Sequence, residues 1–382
     1  MSLLAAFVLG MQSRSIAQFH FSGEGAIGAV QSNSGLSQTV FNNGHGTFLW
    51  SSDLFADAVI SDNILFFSTV NLEQNGSPEI ERFDLRFTDL ASSGIDLDIG
   101  QIDLPFGNLN ERRFPSKNPF FRLPLMHEYQ TTLNTTDYKL RILYPPGIMN
   151  SNGVPLLNGD LYDLGMKISG EFGMFDYSFA LVNGMLSSSA DYSSNGLNPK
   201  DGFGEIMRIG FTPCPELNAG FSYGYGPFMA DQSNDSASAI FSDNPTEYPQ
   251  RTYGGDFTFA MNHVTLYGEA IYNIWYFEDI PNLEAFGYSI EGRWAVTPRF
   301  FAAARAGGVR FNEISGDIPA FPSGETSYSG RWDHNAIRLE GSIGLRVSRE
   351  TLLKAIYEHD NTGDFAGEPN VDVFALQTVF SF

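Results

Sequence analysis

Cysteine is nearly absent: Cys214 stands alone among 382 residues. A single thiol excludes an intrachain disulfide and any cysteine-held metal cluster. Basic residues are also scarce, with 22 Lys plus Arg against 44 Asp plus Glu and a net charge of −22. Nucleic acids and anionic surfaces attract basic protein, so binding driven by either is excluded. Long apolar runs are missing too. The longest, Leu3 to Met11, occurs once and falls well short of the roughly 20 residues a membrane helix needs. What the chain has in quantity is aromatic side chains, 14% of residues against 17% charged, and that ratio excludes disorder. Glycine, at 39 residues, is abundant as well, so the class must be read from periodicity.

The amino terminus reads as an export signal. Its short apolar stretch is followed by Ser15-Ile16-Ala17, small residues placed for a cut ahead of Gln18. Residues 1–17 are therefore expected to be a signal peptide or its remnant, and 18–382 a single domain.

From Phe19 onward the pattern is strict alternation, the signature of strands with two unlike faces. Ile337, Leu339, Gly341, Ile343, Leu345 and Val347 share one face, with Arg338, Glu340, Ser342, Gly344, Arg346 and Ser348 on the other. Leu164, Met166 and Ile168 alternate with Lys167 and Ser169 in the same way. The second face repeatedly carries charge, which a protein-filled core would not accept unpaired. Sixteen such segments are predicted, at 19–30, 47–60, 64–73, 80–89, 95–101, 161–171, 175–183, 205–211, 217–225, 253–261, 264–273, 286–296, 299–311, 336–347, 352–359 and 371–382. Short connections carrying turn residues, such as Asp62-Asn63 and Pro298, alternate with long ones rich in Gly, Ser, Asn and Asp. Cys214, flanked by Pro213 and Pro215, is expected in one of the short turns.

An even strand count, with short turns at one end and long loops at the other, predicts a transmembrane antiparallel β-barrel of the bacterial outer membrane. Hydrocarbon cannot satisfy backbone polar groups, so a membrane sheet must close on itself. Sixteen strands leave an aqueous lumen. The alternation places Asp84, Arg86, Asp96, Asp98, Lys167, Glu171, Arg208, Glu269, Glu291, Arg293, Arg338, Glu340, Arg346, Lys354 and Glu358 on its wall. Tyr223, Tyr225, Phe228, Tyr253, Phe257 and Phe259 lie near strand ends, where aromatic girdles belong. The last segment ends the chain on Phe382, with Phe380, Thr378, Leu376 and Phe374 on the same face. Such a terminal strand resembles the assembly signal read by the barrel insertion machinery.

The connection 102–160 is the longest, with no strand of its own predicted, and a loop of that length is usually functional. Within 104–141, six cations including Arg112, Arg113, Lys117 and Arg122 outnumber three carboxylates, giving +3 in an acidic chain. Folded into the lumen as a third loop, this segment would narrow it, and its charges would set ion preference.

The ordered stretches Ile99-Gly100-Gln101, Leu104-Pro105-Phe106-Gly107, Tyr162-Asp163-Leu164-Gly165, Phe179-Ala180-Leu181-Val182-Asn183-Gly184, Ile206-Met207-Arg208-Ile209-Gly210, Tyr267-Gly268-Glu269 and Tyr288 to Pro298 resemble the phosphate-selective porin O and P family in the wide sense. The resemblance implies a sixteen-stranded barrel, usually a homotrimer, with its third loop inside the pore. Phosphate-selective members carry many lumen cations, and with only 22 Lys plus Arg here, phosphate specificity is not implied.

No His-Glu-x-x-His helix, Gly-x-Ser-x-Gly elbow or dinucleotide fingerprint occurs, so neither catalysis nor a cofactor or metal is expected. Asp360-Asn361-Thr362-Gly363-Asp364 lacks the rest of a calcium loop and reads as a polar hairpin tip. The expected function is passive diffusion of ions and small hydrophilic solutes, with a small lean toward anions. The expected partners are outer-membrane lipid and lipopolysaccharide, the insertion machinery and two further copies of the chain. The alternative is a binding or adhesion barrel with a plugged lumen.

Overall fold

The computed structural model describes residues 18–33, 47–74, 76, 78–110, 112–134, 153–159, 161–187, 202–228, 248–277, 280–317, 327–363 and 370–382. The expected signal segment 1–17 lies outside these, as do Glu111, Asp137, Lys139, Arg141 and Asp364.

Sixteen antiparallel strands close into one barrel, each paired with its neighbour in sequence order. The first five are β1 (Gln18–Ser32), β2 (Thr47–Ser61), β3 (Ile64–Glu73), β4 (Glu79–Phe87) and β5 (Ile95–Asp103). The long third connection follows and carries elements of its own: a helical turn α1 (Leu125–Glu128) and the paired short strands β6 (Gln130–Asn134) and β7 (Gly153–Pro155). That corrects the expectation of a strandless loop; these strands pair with each other and not with the barrel, so they carry no membrane alternation. The wall resumes with β8 (Tyr162–Phe172), β9 (Phe175–Val182), β10 (Gly204–Cys214), β11 (Leu217–Pro227), β12 (Pro249–Met261) and β13 (Val264–Trp275). After β14 (Leu283–Ala295) and β15 (Phe300–Phe311), a hairpin of β16 (Glu313–Asp317) and β17 (Ser327–Arg331) stands apart from the barrel. The final staves are β18 (Ala336–Arg346), β19 (Thr351–Asn361) and β20 (Asn370–Ser381). Closure is made by β1 against β20, from Glu24 opposite Ser381 to Ser32 opposite Val373. Cys214 ends β10, paired across from Leu217 and exposed, so the turn there is only Pro215-Glu216.

The two faces are those the alternation predicts. Ile337, Leu339, Ile343 and Leu345 point outward at 45 to 50% exposure, while Arg338, Glu340 and Ser342 between them are buried. Phe374, Leu376, Phe380 and Phe382 likewise face outward. An exposed apolar belt of this extent is stable only against hydrocarbon, where the closed ladder leaves no backbone group unpaired. Phe228 departs from the girdle assignment: it is buried and packs edge-on to Phe277.

Inside, the wall is not uniformly polar. Ile206, Ile271, Trp275, Leu283, Val309 and Phe311 point inward and form one buried cluster with Leu104, Phe106, Leu125, Met126, Leu133 and Leu156 of the third connection. Each such inward apolar residue contributes about 1.5–3 kcal/mol on burial. The alternation does not disclose this cluster, because an inward Ile at a strand end looks like one more step in it.

Candidate functional site

The described part of the third connection makes contacts with barrel-strand residues along its length. Leu104 N–H donates to the Leu161 carbonyl at 2.8 Å, turning the chain away from β5. Gly107 then adopts φ 62°, and a Cβ there would collide with the Glu269 carboxylate on β13. Only glycine turns here without cost, and its N–H donates to Ser222 Oγ on β11 at 3.0 Å. Asn108 Nδ2 follows with a hydrogen bond to the Phe257 carbonyl on β12 at 3.2 Å.

The expected constriction cations come next, and three of the four are ion-paired. Arg112 lies 3.2 Å from Glu291 on β14 and over the Tyr267 ring at 3.9 Å. Arg113 reaches Glu81 on β4 at 2.7 Å. Arg122 sits 2.8 Å from Glu128 and 3.4 Å from Glu358 on β19. Lys117 has no ion pair within 4 Å among the described residues and lines a cavity at the short-turn end. Cations on the wall hold the segment's backbone in return. Lys354 Nζ donates to the carbonyls of Pro115, Asn118 and Phe120 at 2.9 to 3.2 Å. Arg305, over the Phe120 ring at 4.3 Å and bound to Glu340, donates to the Arg122 carbonyl at 2.7 Å.

Beyond this, α1 brings His127 Nε2 within 3.0 Å of Glu269, both side chains almost fully buried. Its Glu128 completes a cluster in which Arg338 meets Glu128 and Asp360 at 2.8 Å and Glu358 at 3.4 Å. Asp360 is therefore a buried ion-pair partner and not the tip of a polar hairpin, which corrects that expectation. Of the remaining wall residues, Arg86 pairs with Asp98 at 2.6 Å, and Lys167 reaches the same carboxylate at 3.0 Å. Arg208 bridges Asp176 and Asp256 at 3.1 and 2.8 Å. Asp96 accepts the Asp89 N–H near a short turn, Arg293 lies over the Phe301 ring at 4.6 Å, and Arg346 is exposed at the short-turn end.

Two cavities flank the segment. One, about 610 Å³, lies between it and β1–β4 in the long-loop half, lined by Asp53, Glu73, Glu81, Arg113 and Arg122 among others. The other, about 410 Å³, lies in the short-turn half and is base-rich, with Arg112, Lys117, Arg293, Arg299 and Arg346 against Glu291. Glu24, Glu81, Glu128, His127 and Arg305 were missed by sequence reasoning. The available signal was the place of Glu24 and Arg305 within small-residue runs, as in Ala302-Ala303-Ala304-Arg305-Ala306; Glu81, in the charged run Glu79-Ile80-Glu81-Arg82, had none.

No protein-family model matches this chain, and no curated protein sequence does. Solved structures do match. An anion-selective porin from Comamonas acidovorans superposes with a TM-score of 0.59 at 8% identity, covering 96% of this chain and all of that one. OprB of Pseudomonas putida gives 0.55 at 11% identity, over 96% of this chain and 94% of its own. The fold is that of the outer-membrane porins. OmpT of Vibrio cholerae, expressed in the outer membrane, shares this porin-like barrel at a TM-score of 0.58, with 9% identity over 97% of this chain and 99% of its own.

One contact at the long-loop end of this porin-like barrel titrates. Asp333, between β17 and β18, accepts from Tyr129 Oη at 3.0 Å and from the N–H groups of Thr132 and His334 at 2.7 and 2.6 Å. Burial pushes its carboxyl from the ordinary 3.8 up to about 7, against the pull of those hydrogen bonds. Burial and the charge of Asp333 together lift the Tyr129 hydroxyl well above its usual range. A folded value above the unfolded one means the contact contributes fully below 3.8 and loses that contribution as pH rises through about 7. Hydrogen exchange at the Thr132 amide, corrected for intrinsic rate, should show protection falling between about pH 4 and about pH 7 and level above that, and Asp333→Asn should abolish that pH dependence. Equal protection at about pH 4 and about pH 7 in the unmodified protein would refute the assignment.

Proposed function

We propose that this barrel is an outer-membrane channel passing ions and small hydrophilic solutes down their gradients, with segment 104–133 inside the lumen as its constriction. One observation carries the reading. The ion pairs and hydrogen bonds of that single segment end on inward-facing residues of β1, β4, β13, β14, β15, β18 and β19. A chain outside the barrel could not reach all seven strands. The pathway then runs through the two flanking cavities, and the reading contains no catalytic step.

Ion preference follows from which charges stay unpaired. Arg112, Arg113 and Arg122 are neutralised by carboxylates, so they act as anchors more than as an anion filter. The lean toward anions is then carried by Lys117 with Arg293, Arg299 and Arg346 around the short-turn cavity. Fields focus in such low-dielectric clefts, so a few uncompensated charges suffice. Purified protein in planar bilayers should give discrete conductance steps and a small anion-selective reversal potential, which Lys117→Glu should shift toward cations. Closure in three equal substeps would mark a homotrimer, the assembly named for one solved OmpT barrel. A folded barrel that stays silent would sink the channel reading and favour a binding barrel plugged by its apolar cluster.

A further inference from the structure

The long-loop cavity carries an excess of acceptors that its own cations do not satisfy. Glu24, Asp53 and Asn71 stand side by side on β1, β2 and β3, since Glu24 pairs across from Asp53 and Asp53 from Asn71. Asp53 is 4% exposed and accepts a hydrogen bond from Asn71 Nδ2 at 2.8 Å. Glu24 accepts the Ser116 N–H at 3.2 Å. Among the described residues, no basic side chain lies within ion-pair distance of Glu24, Asp53 or Glu73, because Arg113 is held by Glu81 and Arg122 by Glu128. An independent feature points the same way. Gln377 on β20 lines the same cavity at 7% exposure, and its buried Oε1 accepts no hydrogen bond among the described residues. Leaving a buried acceptor empty is costly, so the site gains by taking a donor.

We propose that this cavity is a subsite for organic cations, solutes bearing an ammonium or guanidinium group, held by Asp53 and Gln377 on the way to the constriction. The proposal rests on the channel reading for its role in transport, though not for binding itself. Three features select the class. Carboxylates with no cation in ion-pair contact favour positive charge, and an amide oxygen without a partner favours a donor, so a cation with N–H groups satisfies both. Phe121 also lines the cavity, an aromatic ring of the kind that stabilises an organic cation, whereas the Phe114 ring already carries the Arg113 guanidinium at 4.8 Å. A volume of about 610 Å³ suits a small molecule, and among the described residues no group of His, Cys, Asp or Glu is spaced to hold a metal ion.

The probe is agmatine, a guanidinium joined to an ammonium by a butyl chain, with glutarate as the anionic control. Added on the long-loop side of an open channel in a planar bilayer, agmatine should cause concentration-dependent transient blockades, and glutarate should not. Asp53→Asn and Gln377→Leu should each raise the half-blocking concentration about tenfold, the worth of one charge-assisted hydrogen bond. Calorimetric titration of the detergent-solubilised barrel with agmatine keeps the two readings apart. A silent barrel that binds agmatine, and loses it in Asp53→Asn, would overturn the channel and leave the subsite standing. An open channel indifferent to agmatine, or blocked equally after Asp53→Asn, would overturn the subsite and leave the channel. A silent barrel that binds nothing would overturn both.

Discussion

Deleting residues 108–135 should raise single-channel conductance several-fold while leaving a folded, closed barrel. The wall does not depend on the deleted segment for its backbone hydrogen bonds, since each stave is paired on both sides with other staves. A closed ladder of that kind is what stabilises a membrane barrel. The segment instead occupies space. It contributes Leu109, Leu125, Met126, Tyr129 and Leu133 to the inner apolar cluster at one side and Arg112 to Arg122 across the middle. An empty sixteen-stranded lumen is wide enough for an aqueous channel, so removing these side chains widens the path. The deletion also strands charges of both signs. Glu81, Glu291 and Glu358 each lose an arginine and Glu269 loses its His127 contact, while Lys354 and Arg305 lose carbonyl acceptors. Open-channel noise should therefore rise along with the mean current, as these groups rehydrate and move. Conductance steps of unchanged size from a heat-modifiable barrel would place the segment outside the permeation path.

The barrel was legible in the sequence because membrane strands obey two independent constraints. Each stave must show lipid an apolar side chain at every second position, as in Ile337, Leu339, Ile343 and Leu345, and each turn must reverse the chain within a few residues. Sixteen repeats of a period-two rule fix the class, even where one stave such as Ile95–Asp103 is short. The lumen was only half legible. Alternation says that Arg338 and Glu358 face inward, but not that the third connection meets them, because those partners lie more than two hundred positions away, as Glu128 does from Arg338 and Arg122 from Glu358. A surplus of Arg and Lys in 104–141 therefore looked like a free positive field. In the folded chain, single carboxylates from β4, β14 and β19 neutralise Arg113, Arg112 and Arg122 one by one. The inner apolar cluster was hidden for a related reason. Ile206, Trp275 and Phe311 occupy inward positions near strand ends, and only the packed third connection shows that these ends are dry.

Substituting Arg338 by Met should detach the segment without opening the wall. Arg338 is 1% exposed and lies within 3.4 Å of carboxylates from Glu128, Glu358 and Asp360. Its guanidinium also donates to the Leu123 carbonyl at 3.4 Å, so it binds the segment by side chain and by backbone. Removing it leaves Arg122 as the remaining cation reaching Glu128 and Glu358. Leaving buried charge uncompensated costs about 3–5 kcal/mol, and the cost falls on whichever element can move. Glu358 and Asp360 are fixed in β19, whose ladders to β18 and β20 run almost its full length. Glu128 ends a single helical turn that belongs to no strand ladder, so this turn should move before β19 does and let water reach the carboxylates. Amide protection at Leu123 and Tyr129 should fall by about a hundredfold, the equivalent of about 3 kcal/mol, while strand amides stay protected. Met is close to Arg in length, so lost packing is small and lost charge dominates. Glu128→Gln makes the contrast: it removes one carboxylate and leaves Arg122 and Arg338 facing Glu358 and Asp360, a balanced set whose protection should change far less. If the two variants lose protection equally, charge balance is not what holds the segment, and its anchoring must be assigned to the apolar cluster around Leu125 and Met126.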